Sequence, residues 1–305
     1  MNLTEFKQLS KTLTFLRLWN LLKLKISYFI SSLTKKNINW AFPASISIEP
    51  TTSCNLKCPE CPSGLRKFTR PTGNLKLELL DKILSQLSDY LLYITFYFQG
   101  EPFVNKDFIE MIKKVKQKNI FVATSTNAHF INKDNVDDII NSGIDRLIIS
   151  LDGSTEETYK IYRRGGDFNK VIESIKLLSE AKIRLKSKTP VLELQFLVLK
   201  HNEHQIEDIK KLKNDFNLDK LSLKSAQVYE FKEGNDFIPE NEKHSRYKLD
   251  EDGFYRIKNK LPNKCYRMWS GAVITWDGRV VPCCFDKDAT HQMGKIDEID
   301  FKQIW

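Results

Sequence analysis

Ala44-Ser45-Ile46-Ser47-Ile48-Glu49 leads through Pro50-Thr51-Thr52-Ser53 into Cys54-Asn55-Leu56-Lys57-Cys58-Pro59-Glu60-Cys61. The first six residues read as a short strand bounded by proline. The last eight carry three thiols in one loop, spaced C-x₃-C-x₂-C. Thiolates that close together bind Zn²⁺ or an iron–sulfur cluster. A structural zinc site closes with four ligands, and His129 is the one candidate for the fourth. Three thiolates on a [4Fe–4S] cluster instead leave one iron open, as a reaction centre requires.

Outward from this stretch, β-branched and aromatic runs alternate with helical periodicity. Strands are predicted at residues 44–49, 92–98, 120–125, 146–151, 191–199 and 221–224, and helices at 75–90, 106–118, 133–141, 168–180 and 203–215. Strand–helix alternation implies a parallel sheet with right-handed crossovers. The fold class is therefore α/β, a partial (β/α)₆ TIM-like barrel. Chemistry in such a barrel gathers on the loops leaving the strands' C-terminal ends. Those loops hold Cys54–Cys61, then Gln99-Gly100-Glu101-Pro102, then Thr126-Asn127, then Asp152-Gly153. Taken singly, each is an ordinary turn or helix cap; together, in order, they make a site.

Composition bounds the rest. At 305 residues and 41% apolar content, the chain has ample material for a core, which excludes disorder and small disulfide scaffolds. Six cysteines in two clusters, with no secretory signal, read as metal ligands in a reducing compartment, hence a cytoplasmic protein. The net charge is +9, of which residues 1–40 supply +6 (seven Lys/Arg against Glu5). Lys outnumbers Arg 37 to 11, which argues against a nucleic-acid reader built on bidentate arginines.

Four units follow: a basic amphipathic helical segment at 1–40, the barrel at 41–228, a connector at 229–264, and a small α+β extension at 265–305. In the first, Leu9, Leu13, Leu16, Trp19, Leu22, Ile26, Phe29 and Leu33 recur at helical spacing. Two readings are open. The apolar stripe packs on the barrel, so that deleting residues 1–36 exposes apolar surface, or the helix makes peripheral contact with a membrane. The first is the expectation taken forward.

The three-cysteine loop and the strand ends resemble the radical S-adenosylmethionine (SAM) superfamily over about residues 44–225. The resemblance implies a [4Fe–4S] cluster on Cys54, Cys58 and Cys61. It also implies SAM chelated to the open iron and a reductive cleavage that yields a hydrogen-abstracting 5′-deoxyadenosyl radical. Gly100-Glu101 resemble the end of the family's Gly-Gly-Glu motif at the methionine amino group, with Gln99 in the first glycine's place. Ser150 and an arginine of Arg163-Arg164, with Arg164 favoured beside the glycines, match residues that hold the SAM carboxylate or ribose. Asn127 resembles part of the third-strand Thr-Asn-Gly turn, with Ala128 in the glycine place. Glu60 stands where an aromatic often precedes the third cysteine.

The C-terminal spacing Cys265-x₁₂-Gly278-x₄-Cys283 resembles the opening of the SPASM/Twitch extension, which carries auxiliary Fe–S clusters. A hairpin is predicted over 272–281, with Asp277-Gly278 at its turn. Strand alternation would turn Cys284 away from Cys283. That leaves Cys265 and Cys283 as ligands of an auxiliary cluster that stays incomplete, with His291 a weak substitute, and about 4 irons per chain, the count for a single cluster of this type. The resemblance implies a radical SAM oxidoreductase acting on a peptide or protein side chain, reduced by a flavodoxin or ferredoxin. The rivals are a noncatalytic Fe–S or zinc-binding electron-transfer or scaffold protein, and a radical SAM enzyme for a small molecule or glycan.

Overall fold

A computed structural model describes residues 3–259 and 264–305; the end of the predicted connector, 260–263, lies outside the described residues. In chain order the elements are α1 (Leu3–Lys11), α2 (Phe15–Thr34), β1 (Ser45–Ile48), α3 (Pro62–Leu65), α4 (Leu77–Leu87), β2 (Tyr93–Phe96), α5 (Phe108–Lys116) and β3 (Phe121–Thr126). Next come α6 (Val136–Asn141), β4 (Arg146–Ser150), α7 (Glu156–Tyr162), α8 (Phe168–Arg184), β5 (Val191–Val198), α9 (Ile206–Asp215) and β6 (Lys220–Ser225). The C-terminal part adds β7 (Tyr247–Leu249), β8 (Tyr255–Ile257), α10 (Tyr266–Ser270), β9 (Gly271–Ile274), β10 (Arg279–Val281), β11 (Gly294–Lys295) and α11 (Phe301–Ile304).

Strands β1 to β6 pair in sequence order, all parallel. The sheet is open, a partial (β/α)₆ barrel, as the alternation of elements predicts. The crossover helices α4 and α5 lay apolar stripes on it: Leu80, Ile83, Leu84 and Leu87 from α4, and Phe108, Met111, Ile112 and Val115 from α5. Phe121 to Thr124 of β3 are buried in succession, as expected where both faces of a parallel sheet are covered. The predicted hairpin forms, but its first strand pairs parallel with β1, Ser45 opposite Gly271 and Ile48 opposite Ile274. The sheet therefore runs to nine strands and takes in part of the segment expected as a separate extension. Helix α7 was not predicted. With seven residues, it is too short to show a periodicity.

The N-terminal segment reverses its expected orientation. It is two helices, broken at Thr12–Thr14, with the Thr14 hydroxyl capping α2 by accepting from the Arg17 amide. Helix α2 buries Arg17, Asn20, Leu24 and Ser27 against the barrel and turns its apolar stripe outward. Polar anchoring explains the choice. The Arg17 guanidinium donates to the carbonyls of Thr12, Ser88, Lys118 and Asn119 at 2.6–2.8 Å. The Asn20 amide exchanges two hydrogen bonds with the Phe42 backbone. Deleting residues 1–36 would thus remove exposed apolar surface rather than create it.

Candidate active site

At the C-terminal ends of β1 to β4 a cavity of about 390 Å³ is lined by Cys54, Cys58 and Cys61, with Gly100, Glu101, Asn127, Ser150 and Arg163 among the facing residues. The cysteine loop is held close. Cys61 N–H donates to Cys58 O (3.3 Å), Leu65 N–H to Cys61 O (2.8 Å), and Lys57 N–H to Arg164 O (2.8 Å). Gly64 allows this packing, because a Cβ there would lie 2.5 Å from Cys58 N. Burial pushes the Cys54 thiol up to about 12 and the Cys58 thiol upward as well. Neutral thiols in a buried loop are poor ligands until a cation offsets the cost of the thiolate. Among the described residues, no three His, Cys, Asp or Glu side chains converge on one point, as a mononuclear ion requires. The three thiols line one cavity wall.

Glu101 follows β2 and is 2% exposed. Its carboxylate accepts from the Thr126 hydroxyl and the Asn127 amide, each at 2.7 Å. Burial pushes its pKa up to about 7 against those bonds. The Phe103 amide also donates to it at 3.4 Å, and the nearby Arg163 guanidinium favours its charged form, so a buried, hydrogen-bonded acid faces the cavity. Gly100 makes the turn possible: its φ is +73°, and a Cβ would sit 2.3 Å from Thr51 O. Gln99 is accommodated because its side chain accepts from Ser63 (3.2 Å), whose hydroxyl accepts from Gly100 N–H (2.8 Å). The Asn127 side chain donates to Asn55 (2.8 Å) beside Cys54, and Ser150 lies 3.4 Å from Ser125.

Two expectations change. The arginine that lines the cavity is Arg163, not Arg164. Arg163 caps the C-terminus of α7 and is drawn inward by Asp152, Nε to Oδ2 at 2.5 Å. Arg164, one residue further round the turn, is exposed and contributes only its carbonyl. Asp152, in the loop after β4, positions this arginine, and its second oxygen accepts from Leu197 N–H at 2.8 Å. His129, the candidate fourth zinc ligand, accepts at Nε2 from Asp167 N–H (2.8 Å) and turns Nδ1 to Asn127. Glu60 turns toward the connector and accepts from Tyr229 N–H and Asn235.

In the C-terminal part, strand β10 ends at Val281, so Cys283 and Cys284 lie in a turn and strand alternation does not apply. Cys284 lines the same cavity as the three loop cysteines. Burial, with the nearby Cys283 and Cys265 thiols, pushes its thiol up. His291 is exposed and engaged with Asp286 and Thr290. Lys287, which sequence reasoning missed, lines the cavity beside Cys61 and sits 4.2 Å from the Tyr229 ring centroid. A larger cavity, about 830 Å³, opens in the connector around Phe237 and Tyr255 and holds no thiol.

The donor set fits a cluster with SAM beside it: three soft ligands on one wall, and a buried carboxyl able to accept from a cationic group facing the same cavity. Comparison with known proteins agrees. The model of the radical SAM superfamily matches residues 48–212, and that of an iron–sulfur cluster-binding domain, SPASM, matches 265–305. The PqqA peptide cyclase of Bradyrhizobium diazoefficiens is 23% identical over 288 residues, 87% of this chain and 71% of that protein. A tungsten-containing aldehyde ferredoxin oxidoreductase cofactor-modifying protein of Pyrococcus furiosus is 23% identical, over 85% and 79% of the two chains. The fold is shared with Streptococcus suis SuiB bound to S-adenosylmethionine, at a TM-score of 0.67, 18% identity, and 90% and 68% coverage. Such an enzyme uses a [4Fe–4S] cluster and SAM. The open parallel sheet, the cysteine loop after β1 and these matches establish that the chain belongs to the radical SAM superfamily and carries a SPASM domain.

Proposed function

We propose that this enzyme modifies a peptide or protein side chain admitted to the cavity mouth. One observation carries the reading: Cys284 of the SPASM segment shares the cavity wall with Cys54, Cys58 and Cys61, so the auxiliary region borders the substrate space. Support comes from relatives named PqqA peptide cyclase and mycofactocin maturase MftC, and from the fold shared with SuiB bound to its precursor peptide SuiA. Other relatives, named GTP 3′,8-cyclase, mark the small-molecule alternative. The six free cysteines support a cytoplasmic setting, with a flavodoxin or ferredoxin as the electron donor.

Within this reading, Cys54, Cys58 and Cys61 would hold the cluster, which when bound would supply the electron for SAM cleavage. The chain's other residues bind and orient. Glu101, held in place by Thr126 and Asn127, would accept a hydrogen bond from the SAM ammonium. Ser150 and Arg163 line the same cavity and would hold the carboxylate and ribose, and Asp152 fixes Arg163.

The substrate class is tested by 5′-deoxyadenosine formation with a cellular peptide fraction. Stimulation should disappear when that fraction is first treated with protease. Stimulation that survives the protease would overturn the peptide reading in favour of a small molecule.

Glu101 gives a second expected result. Glu101→Gln should weaken SAM binding roughly ten- to a hundredfold at unchanged iron content, the worth of one charge-assisted hydrogen bond. Because burial raises the wild-type pKa to about 7, the carboxyl must lose a proton to meet the ammonium below that pH. Wild-type affinity should therefore rise as pH climbs from about 6 through about 7, and the variant should lack that rise. Calorimetric titration across this range checks both.

A further inference from the structure

Helix α2 is built with its polarity reversed. The side toward the barrel carries Arg17, Asn20, Leu24 and Ser27, and its hydrogen bonds fasten it there. Trp269 adds a contact from its indole N–H to the Ser27 hydroxyl at 3.3 Å. The opposite side carries Phe15, Trp19, Leu22, Ile26, Phe29 and Leu33, each between 42% and 84% exposed. Those positions advance by steps of four and three, so they form one stripe about 27 Å long at 1.5 Å per residue. Isolated exposed leucines are ordinary on a protein surface; an unbroken stripe of this length is not.

We propose that α2 is a membrane-surface anchor, lying flat with this stripe in the interface of an anionic phospholipid bilayer. Charge selects that occupant. Helix α2 has no acidic residue. Of the seven basic residues in 1–40, Arg17 is spent on backbone carbonyls. The other six are lysines: Lys7, Lys11, Lys23, Lys25, Lys35 and Lys36. Glu5, the one acid of the segment, is buried against Arg146 at 2.9 Å. The outward face is thus apolar along its middle and purely cationic at its borders. Anionic lipid headgroups answer that pattern, and snorkelling lysines reach them while the stripe enters the acyl boundary. A second copy docked on the same stripe would bring lysines against lysines with no acid on either helix to offset them.

Two exposed tryptophans accompany the stripe. Trp19 lies on the stripe with the Lys23 ammonium 5.6 Å from its ring centroid, and Trp40, in the segment after the helix, is exposed. Tryptophan favours the headgroup level, where one edge is wet and the other apolar. Among the described residues, no helix is long and apolar enough to cross a membrane. A flat posture, not a span, is what α2 can adopt.

The anchor sits at the end of the barrel remote from the cavity. Ser88, Lys118 and Asn119, which hold Arg17, precede β2 and β3, whereas the cysteines and Glu101 follow the strands. Docking would leave the cavity mouth facing away from the bilayer and open to substrate.

The test is cosedimentation of the full chain with phosphatidylcholine vesicles containing about 30% phosphatidylglycerol, against phosphatidylcholine alone, in low and high salt. The wild type should pellet with the anionic vesicles, on the order of tenfold more tightly than with neutral ones and less so in high salt. Leu22→Ser/Ile26→Ser/Phe29→Ser and Lys23→Glu/Lys25→Glu should each weaken binding by at least about tenfold while leaving the circular dichroism unchanged. Brominated lipid should quench the wild type more than Trp19→Phe. A wild type that does not pellet, or variants that pellet equally well, would overturn the proposal. So would a concentration-dependent dimer that the triple variant abolishes without affecting vesicle binding.

Discussion

Arg70→Met should cost the protein about 3–5 kcal/mol of stability, the loss expected when one partner of a buried ion pair is removed. Arg70 and Glu49 meet in two parallel bonds, at 2.6 and 2.8 Å, with side chains 2% and 0% exposed. Arg70 Nε also donates to the Lys287 carbonyl at 2.7 Å, and Glu49 accepts from Trp276 N–H at 3.3 Å. The pair therefore ties the end of β1, the loop after the cysteines and the C-terminal turn at one point. Methionine matches the stem of arginine but leaves the Glu49 charge alone in an apolar site.

The sign of the pH dependence follows. Burial already raises the Glu49 pKa above its ordinary 4.5, and losing Arg70 raises it further. An acid whose folded pKa is raised favours the native state below its unfolded pKa and loses that advantage as pH rises through the folded value. The variant's deficit should shrink on acidification toward about pH 4.5 and grow above it. Urea denaturation at several pH values checks this, and Glu49→Gln/Arg70→Met should recover much of the loss. A single-variant loss below about 1 kcal/mol would show that the pair is solvated.

Much of the fold was legible because βα alternation is a local signal. The predicted strand at 191–199 is observed at Val191–Val198, and that at 146–151 at Arg146–Ser150. What escaped depended on tertiary choice. Nothing within Gly271–Ile274 indicates that β1 will be its parallel partner. Burial of apolar surface, the usual driving force, predicts that the stripe from Leu9 to Leu33 faces inward. On α2 four carbonyl acceptors for one guanidinium, and a backbone match for Asn20, settle the packing instead.

The site shows the same division. Cys54, Cys58 and Cys61 are contiguous enough for spacing to identify them, and Glu101 and Asn127 follow their own strands. Arg163 and Arg164 are neighbours in sequence, and only the end of α7, with Asp152 beyond it, decides which turns inward. The adjacent pair itself was the available signal. Cys284 was set aside on an alternation rule that holds only inside a strand, and β10 stops three residues earlier. Lys287 and Ser63 carry no motif; their places are set by the turns that surround them.

We propose that the three-cysteine loop is the seat of SAM cleavage, and 5′-deoxyadenosine formation by two proteins decides it. Wild type and Cys54→Ala/Cys58→Ala/Cys61→Ala are reconstituted anaerobically, reduced, and assayed for 5′-deoxyadenosine from SAM. Circular dichroism of both confirms that the variant is folded. All three thiols lie on the wall that Glu101 and Arg163 face, so without them no iron is held where SAM would bind. The wild type should form 5′-deoxyadenosine, and the variant should form none. Formation by the variant at the wild-type rate would contradict the account, as would a reduced, iron-loaded wild type that leaves SAM intact.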